Sequence, residues 1–292
     1  EAAGDESGYS VSLSSDGSIV AIGAHYNDNF NFPLQGENSG HVRVYEWDGS
    51  SWIQRGGVIE GGEAAWDNAG CSVSLSSDGS IVAIGARYND GNGNDSGHVR
   101  VYEWNGTFWL QRGVDIHGEA TNDRSGSSVS LSSDGTIVAI GARYNHGVNG
   151  EYSGHVRVYE SSDLNIDNLS FVKKNEQVVG DKLKILIKND VMDWSQKGQD
   201  IDGEASGDRS GYSVSLSRDG SIVAIGAKSN RGNGHTSGHV RVYEWNDSVW
   251  VKRGSDIDGE ASSDESGYSV SLSSDGSIIA IGAIYNDGVN GS

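Results

Sequence analysis

The sequence predicts an all-β fold, a β-propeller of four-stranded antiparallel blades, with about five repeats in this chain and the last one incomplete. Three observations predict it: a long block that recurs, strand-like periodicity inside the block, and turn residues between its strands. The block S-V-S-L-S-x-D-G-[ST]-I-[VI]-A-I-G-A begins at Ser10, Ser72, Ser128, Ser213 and Ser269. Two further blocks follow it in four copies, S-G-H-V-R-V-Y-E from Ser39, Ser96, Ser153 and Ser237, and W-x-[QK]-[RK]-G from Trp52, Trp109, Trp194 and Trp250.

Each block reads as strand. Ser10 to Ser14 alternates with period two, whereas Ile19 to Ile22 is continuously apolar, the pattern of a strand buried on both faces. Between them Asp16-Gly17, like Asp78-Gly79, Asp134-Gly135, Asp219-Gly220 and Asp275-Gly276, predicts a primed two-residue turn with positive backbone angles. His41 to Trp47 forms the third strand, Val42 and Val44 on one face and Arg43 and Tyr45 on the other. Asp48-Gly49-Ser50 or Asn105-Gly106-Thr107 then turns the chain into the fourth strand at Trp52 or Trp109. Blades therefore begin near residues 9, 71, 127, 212 and 268. One such sheet cannot bury both faces alone, so near-identical sheets stack around an axis. A sandwich would not require near-identical repeats.

These residues resemble a known family. Ser7-Gly8-Tyr9-Ser10-Val11, Ile22-Gly23-Ala24 and Gly40-His41-Val42-Arg43-Val44-Tyr45 are similar to the FG-GAP repeat of integrin-α-type propellers. The resemblance implies an extracellular or cell-surface protein used in adhesion and ligand binding, with calcium held in a D-x-D-x-D-G loop. That loop is absent here. Ser14-Ser15-Asp16-Gly17 is too short and too poor in carboxylates to offer calcium its six or more oxygens. The S-x-D-G turn is also similar to WD-repeat blades, which implies an intracellular interaction scaffold as the alternative.

Composition bounds the function. The 292 residues carry a formal charge of −20, which repels nucleic acid and anionic membrane surfaces. No apolar run is long enough to cross a bilayer, and no signal-peptide pattern stands at the start. The chain starts and stops inside its own repeat, which reads as a piece of a longer protein. A lone cysteine, Cys71, excludes an internal disulfide, and it occupies the slot filled by Tyr9, Ser127, Tyr212 and Tyr268, so it reads as a buried small side chain. Two irregularities interrupt the array: an extension at Phe30 to Gln35, and an insertion over residues 161–193 in the third blade, rich in lysine and read as an extended hairpin.

An active site needs unlike groups in unlike roles, and the repeats show like groups in like places. His41, His98, His155 and His239 share one strand position and read as copies of a structural hydrogen bond rather than as metal ligands. The recurring tryptophans flank one hairpin and read as inter-blade packing. The chain is accordingly expected to be no enzyme; a propeller glycosidase or lyase is a third reading. The candidate ligand-binding residues lie in the loops at one end of the axis. Asp5, Asp67, Asp123, Asp208 and Asp264 enter the blades, Asn27, Asn89 and Asn286 follow the second strands, and Trp66 stands alone among small or polar counterparts. The acids could present a polar face to a protein or glycan, or each could cap its own turn through neighbouring amides. No cofactor is assigned and the metal is left open, calcium being a candidate without its usual loop. Expected partners are a protein or a glycan, with no nucleic acid and no membrane insertion, outside the cell or at its surface.

Overall fold

The computed structural model describes residues 3–28, 36–62, 64–162 and 193–288. The extension at 30–35 and all but the ends of the 161–193 insertion lie outside the described residues. Every described element is a strand, and the strands form five consecutive antiparallel sheets. The first blade runs β1 (Ser10–Leu13), β2 (Ile19–Ala24), β3 (His41–Trp47) and β4 (Trp52–Gln54) in chain order. The second runs β5 (Ala69–Leu75), β6 (Ile81–Ala86), β7 (His98–Trp104) and β8 (Trp109–Gln111), with a short β9 (Ile116–His117) on β7. The third repeats this as β10 (Ser128–Leu131), β11 (Ile137–Ala142), β12 (His155–Ser162), β13 (Asp193–Gln196) and β14 (Ile201–Asp202). The fourth does so as β15 (Ser213–Leu216), β16 (Ile222–Ala227), β17 (His239–Trp245), β18 (Trp250–Lys252) and β19 (Ile257–Asp258). The fifth is the hairpin β20 (Ser266–Leu272) and β21 (Ile279–Ala283).

The outer edge was not legible as two pieces. β8 pairs only with the far half of β7, Trp104 facing Trp109, and after a break β9 covers the near half, His98 facing His117 and Val99 facing Ile116. A three-residue strand leaves half of β7 unpaired, and the next segment satisfies it.

The Asp-Gly hairpin differs from a two-residue primed turn. Ser14 N donates to Ile19 O at 2.9 Å and Gly17 N to Ser14 O at 3.0 Å, so the loop has four residues, and only Gly17, with φ of 72°, is left-handed. Asp16 does different work: its Oδ1 accepts from Ser14 Oγ, Ser18 N and Ser18 Oγ at 2.7 to 2.9 Å. Those bonds, the Ser14 hydroxyl first, hold its carboxyl down at about 2.

The core lies between blades, one cluster at each of the first three seams. Ile19, Val42, Val44 and Ile59 of the first blade pack against Val73, Leu75, Val82 and Ile84 of the second, and two equivalent clusters join the second to the third and the third to the fourth. Serine hydroxyls of the innermost strands tie the seams as well: Ser12, Ser74, Ser130 and Ser215 accept from Leu75, Leu131, Leu216 and Leu272 N at 2.9 to 3.0 Å. The tryptophans pack as expected, Trp109, Trp194 and Trp250 each donating Nε1 to a carbonyl of the preceding blade at 2.7 to 2.9 Å.

Burial therefore depends on a neighbouring blade. Val11 and Leu13 are 62% and 58% exposed, whereas Val129 and Leu131 at the same positions are 9% and 7% exposed. Leu131→Ala is expected to lower stability by about 2 to 4 kcal/mol, the cost of deleting a buried leucine, and Leu13→Ala by less than about 1 kcal/mol. Urea unfolding of the two variants checks this; equal losses would mean that seams are not where the stability resides.

Candidate functional site

The strand order places two loop families at one end of the axis, those after β2, β6, β11 and β16 and those entering each blade. The recurring acids are buried there, and they cap turns. Asp67 Oδ2 accepts from Ala64 N and Asn89 Nδ2, both at 3.0 Å. Asp208 and Asp264 repeat both bonds, with Ala205 and Asn230 at 3.0 Å and with Ala261 and Asn286 at 2.8 and 2.9 Å. Asp5 accepts from Asn27 Nδ2 at 2.8 Å, and Asp123 from Ala120 N at 2.8 Å. The predicted acids and amides are thus brought together in pairs, with their oxygens turned inward to the loops that hold them.

Trp66 is different. It is 55% exposed, its backbone is left-handed, with φ of 74°, and it lines a cleft of about 460 Å³ with Tyr26, Asn38, Asn68, Tyr88 and Asp95 at the seam between the first and second blades. Asn38, Asn68 and Asp95 also have φ between 53° and 58°, so four of the six lining residues occupy a conformation that L residues resist. Loop-to-loop bonds hold them: Trp66 N donates to Glu37 O at 2.8 Å, and Asn68 N and Nδ2 both donate to Asn38 O at 3.1 Å.

One position that varies among the repeats opens this cleft. At the position after the blade-entry aspartate the second seam has Arg124, the third Arg209 and the fourth Glu265, where the first has Asn68. Arg124 fills its seam, its guanidinium 4.8 Å from the Tyr88 ring and 4.5 Å from the Tyr144 ring. Asn68 is too short to span Tyr26 and Tyr88, and the space remains. Repeats that look alike therefore build unlike seams, which the expectation of like groups in like places missed. The signal was present as Asp67-Asn68-Ala69-Gly70 beside Asp123-Arg124-Ser125-Gly126.

Asp95 is the ionisable group of the cleft. Its backbone N donates to Asp90 Oδ1 at 2.9 Å, and its Oδ2 lies 3.8 Å from Arg124 Nη2. Burial raises its pKa above the usual carboxylate value, with Arg124 opposing and Asp90 adding to the rise. Arg87 also stands at Tyr88, 5.0 Å from the ring, with its Nη2 donating to Asn68 Oδ1 at 3.5 Å. The cleft thus offers three aromatic faces, two amides and one carboxylate of raised pKa beside the Arg124 guanidinium.

The strand histidines depart from the expected common hydrogen bond. His98 Nε2 meets Gly61 O at 3.1 Å, but His155 and His239 leave Nε2 without a partner. Cys71 is buried, as its slot predicts.

Residues 1–45 and 52–102 match the FG-GAP repeat. The chain carries FG-GAP repeats. The match covers the cleft's lining residues, since all six lie between Tyr26 and Asp95. No curated protein sequence matches the chain. Among solved structures, the FG-GAP blades superpose on the periplasmic gluconolactonase PpgL of Pseudomonas aeruginosa, with a TM-score of 0.51 and 13% identity over 93% of this chain and 64% of that one. A Bacteroides uniformis protein described as a 6-phosphogluconolactonase aligns with a TM-score of 0.49 and 11% identity over 93% of this chain and 57% of that one. The chain spans less than two thirds of the length of either.

The Pseudomonas structure corrects two expectations, that of a non-catalytic binding or adhesion module and that of no enzyme. The propeller fold shared with it carries an enzyme. The repeat symmetry that argued against chemistry is broken at the first seam by Asn68 and Trp66. Among the described residues no helix is long and apolar enough to cross a membrane.

Proposed function

We propose that this chain supplies the substrate cleft of a hydrolase acting on a polyhydroxylated lactone. The observation that carries the reading is the cleft opened by Asn68, which sets Trp66, Tyr26 and Tyr88 around Asp95. Aromatic faces suit the C–H faces of a sugar ring, and Asn38 and Asn68 suit its hydroxyls. The name of the Pseudomonas propeller, a gluconolactonase, supports this substrate class.

In this reading Asp95 is the general base. Its carboxylate takes a proton from a water molecule as the water oxygen forms a bond to the lactone carbonyl carbon, and the carbonyl π pair moves onto oxygen. Collapse of the tetrahedral intermediate breaks the ring C–O bond, and the proton returns from Asp95 to the departing alkoxide, leaving the hydroxy acid. Arg87 and Arg124, both within about 5 Å of the Tyr88 ring, favour the negative charge that develops on oxygen.

The test fills the cleft with the residue the neighbouring seams already use. Asn68→Arg is compatible with the backbone, since Arg124 and Arg209 have φ of 55° and 58° at that position. Wild type is expected to hydrolyse five- and six-membered aldonolactones in a pH-stat assay well above the spontaneous rate. Asn68→Arg is expected to melt as wild type does and to lose at least about tenfold in kcat/KM, the scale of a filled or emptied pocket. Wild-type hydrolysis at the spontaneous rate, or full activity in Asn68→Arg, would refute the assignment.

A further inference from the structure

The second and third seams hold a different arrangement, none of whose residues lines the lactone cleft. His155 opens β12 and is 1% exposed, and its Nε2 has no partner. Its Nδ1 faces two carboxylates, Glu119 Oε2 from the loop after β9 and Asp200 Oδ2 just before β14, each at 3.8 Å and too far for a hydrogen bond. His239 opens β17 in the same way, with Nε2 again unpartnered and Nδ1 at 4.0 Å from Glu204 Oε2 and 3.9 Å from Asp258 Oδ1. The ligand atoms of Glu119, His155 and Asp200 all lie within 4.8 Å of one another, as do those of Glu204, His239 and Asp256, where a cation would displace the Lys252 ammonium that pairs with Asp256.

Each imidazole is buried and turns Nδ1 toward acids that lie beyond hydrogen-bond reach, which leaves room for a cation between them. A tetrahedral Zn²⁺ holds nitrogen and oxygen at about 2.0 to 2.2 Å, so its ligands sit roughly 3.4 Å apart. Closing the present 3.8 Å separations takes a few tenths of an ångström at side chains of which the acids are partly exposed. The surroundings orient one acid of each set. Arg157 Nη1 lies 3.5 Å from Glu119 Oε1 while its Nη2 donates to His117 O at 2.7 Å, which leaves Glu119 Oε2 for the imidazole side. Arg241 does the same for Glu204, at 3.2 Å, with its Nη2 donating to Asp202 O at 2.8 Å.

The first seam shows the alternative. There Arg100 takes Asp115 with two bonds, at 2.8 and 2.7 Å, and His98 Nε2 meets the Gly61 carbonyl. Among the described residues of that seam the acid is held by a guanidinium and His98 Nε2 by a carbonyl, so the set is not repeated there.

We propose that Glu119, His155 and Asp200, and separately Glu204, His239 and Asp256, each bind one divalent transition-metal cation of the Zn²⁺ class. One nitrogen and two carboxylate oxygens suit zinc and disfavour calcium, which takes six to eight oxygens. Each site joins the end of one blade to the third strand of the next, so the ion clamps adjacent blades.

Equilibrium dialysis of the metal-stripped chain against Zn²⁺, with bound metal quantified, tests this. Two ions per chain are expected, not displaced by millimolar Ca²⁺. Glu119→Gln and Glu204→Gln, at partly exposed positions where folding is checked by circular dichroism, are each expected to lower the count to one, and the double variant to none. Fewer than two ions on the wild type, displacement by Ca²⁺, or an unchanged count in the double variant would overturn the proposal.

Discussion

Asp95→Asn is expected to lower kcat for lactone hydrolysis by about a hundred- to ten-thousand-fold, the range of a lost general base, while the fold is retained. The side chain keeps its shape and its position beside Arg124, and only the ability to accept a proton is removed. The pH dependence makes the role specific. A base works only when deprotonated, so wild-type kcat/KM is present above the pKa of Asp95 and falls as pH drops through it. Burial raises that pKa above the ordinary carboxylate value, so the acid limb lies higher than for an exposed aspartate. In Asp95→Asn this limb is expected to vanish from the residual activity. A variant with unchanged kcat, or with the same acid limb, would assign the proton transfer elsewhere. Because Arg124 opposes the shift, Arg124→Gln is expected to move the limb to still higher pH.

The second large effect is on folding. Gly85→Ala is expected to cost more than about 4 kcal/mol, in the range reserved for backbone collision. A methyl group at Gly85 would overlap the Gly126 carbonyl oxygen of the next blade and the Ser72 hydroxyl, and would meet the Gly126 carbonyl carbon at 3.0 Å. Neither blade can withdraw, because Ser72 Oγ donates to that same Gly126 oxygen at 2.7 Å and the inner strands are tied across the seam. Gly106→Ala is the control: that glycine sits in an exposed hairpin with nothing within 4 Å, and only its φ of 97° resists a side chain, at about 1 kcal/mol. Thermal unfolding separates the two, and a Gly85→Ala protein melting within a few degrees of wild type would show that the seams yield more than their hydrogen bonds suggest.

The same glycine shows how much was legible beforehand. Gly23, Gly85, Gly141, Gly226 and Gly282 stand out in the sequence as a constant of the repeat, but the reason lies in the next blade, some 40 to 70 residues along the chain in the first four cases. The strands themselves were readable because period-two alternation, continuous apolar runs and glycine turns are local properties of the backbone. The hairpin was misread because Asp16 acts through its carboxylate, bonding two serines, rather than through a left-handed backbone.

The sequence by itself determined the all-β propeller of four-stranded antiparallel sheets, since it depends on short-range periodicity repeated in register. Tertiary structure alone decided where chemistry can occur. Asn68 matters because two tyrosines from different blades flank the place an arginine would fill, and His155 matters because Glu119 and Asp200 reach it from opposite sides of a seam. Such sites arise from differences between nearly identical neighbours, and a difference acquires chemical meaning only when the blades that share it are brought into contact.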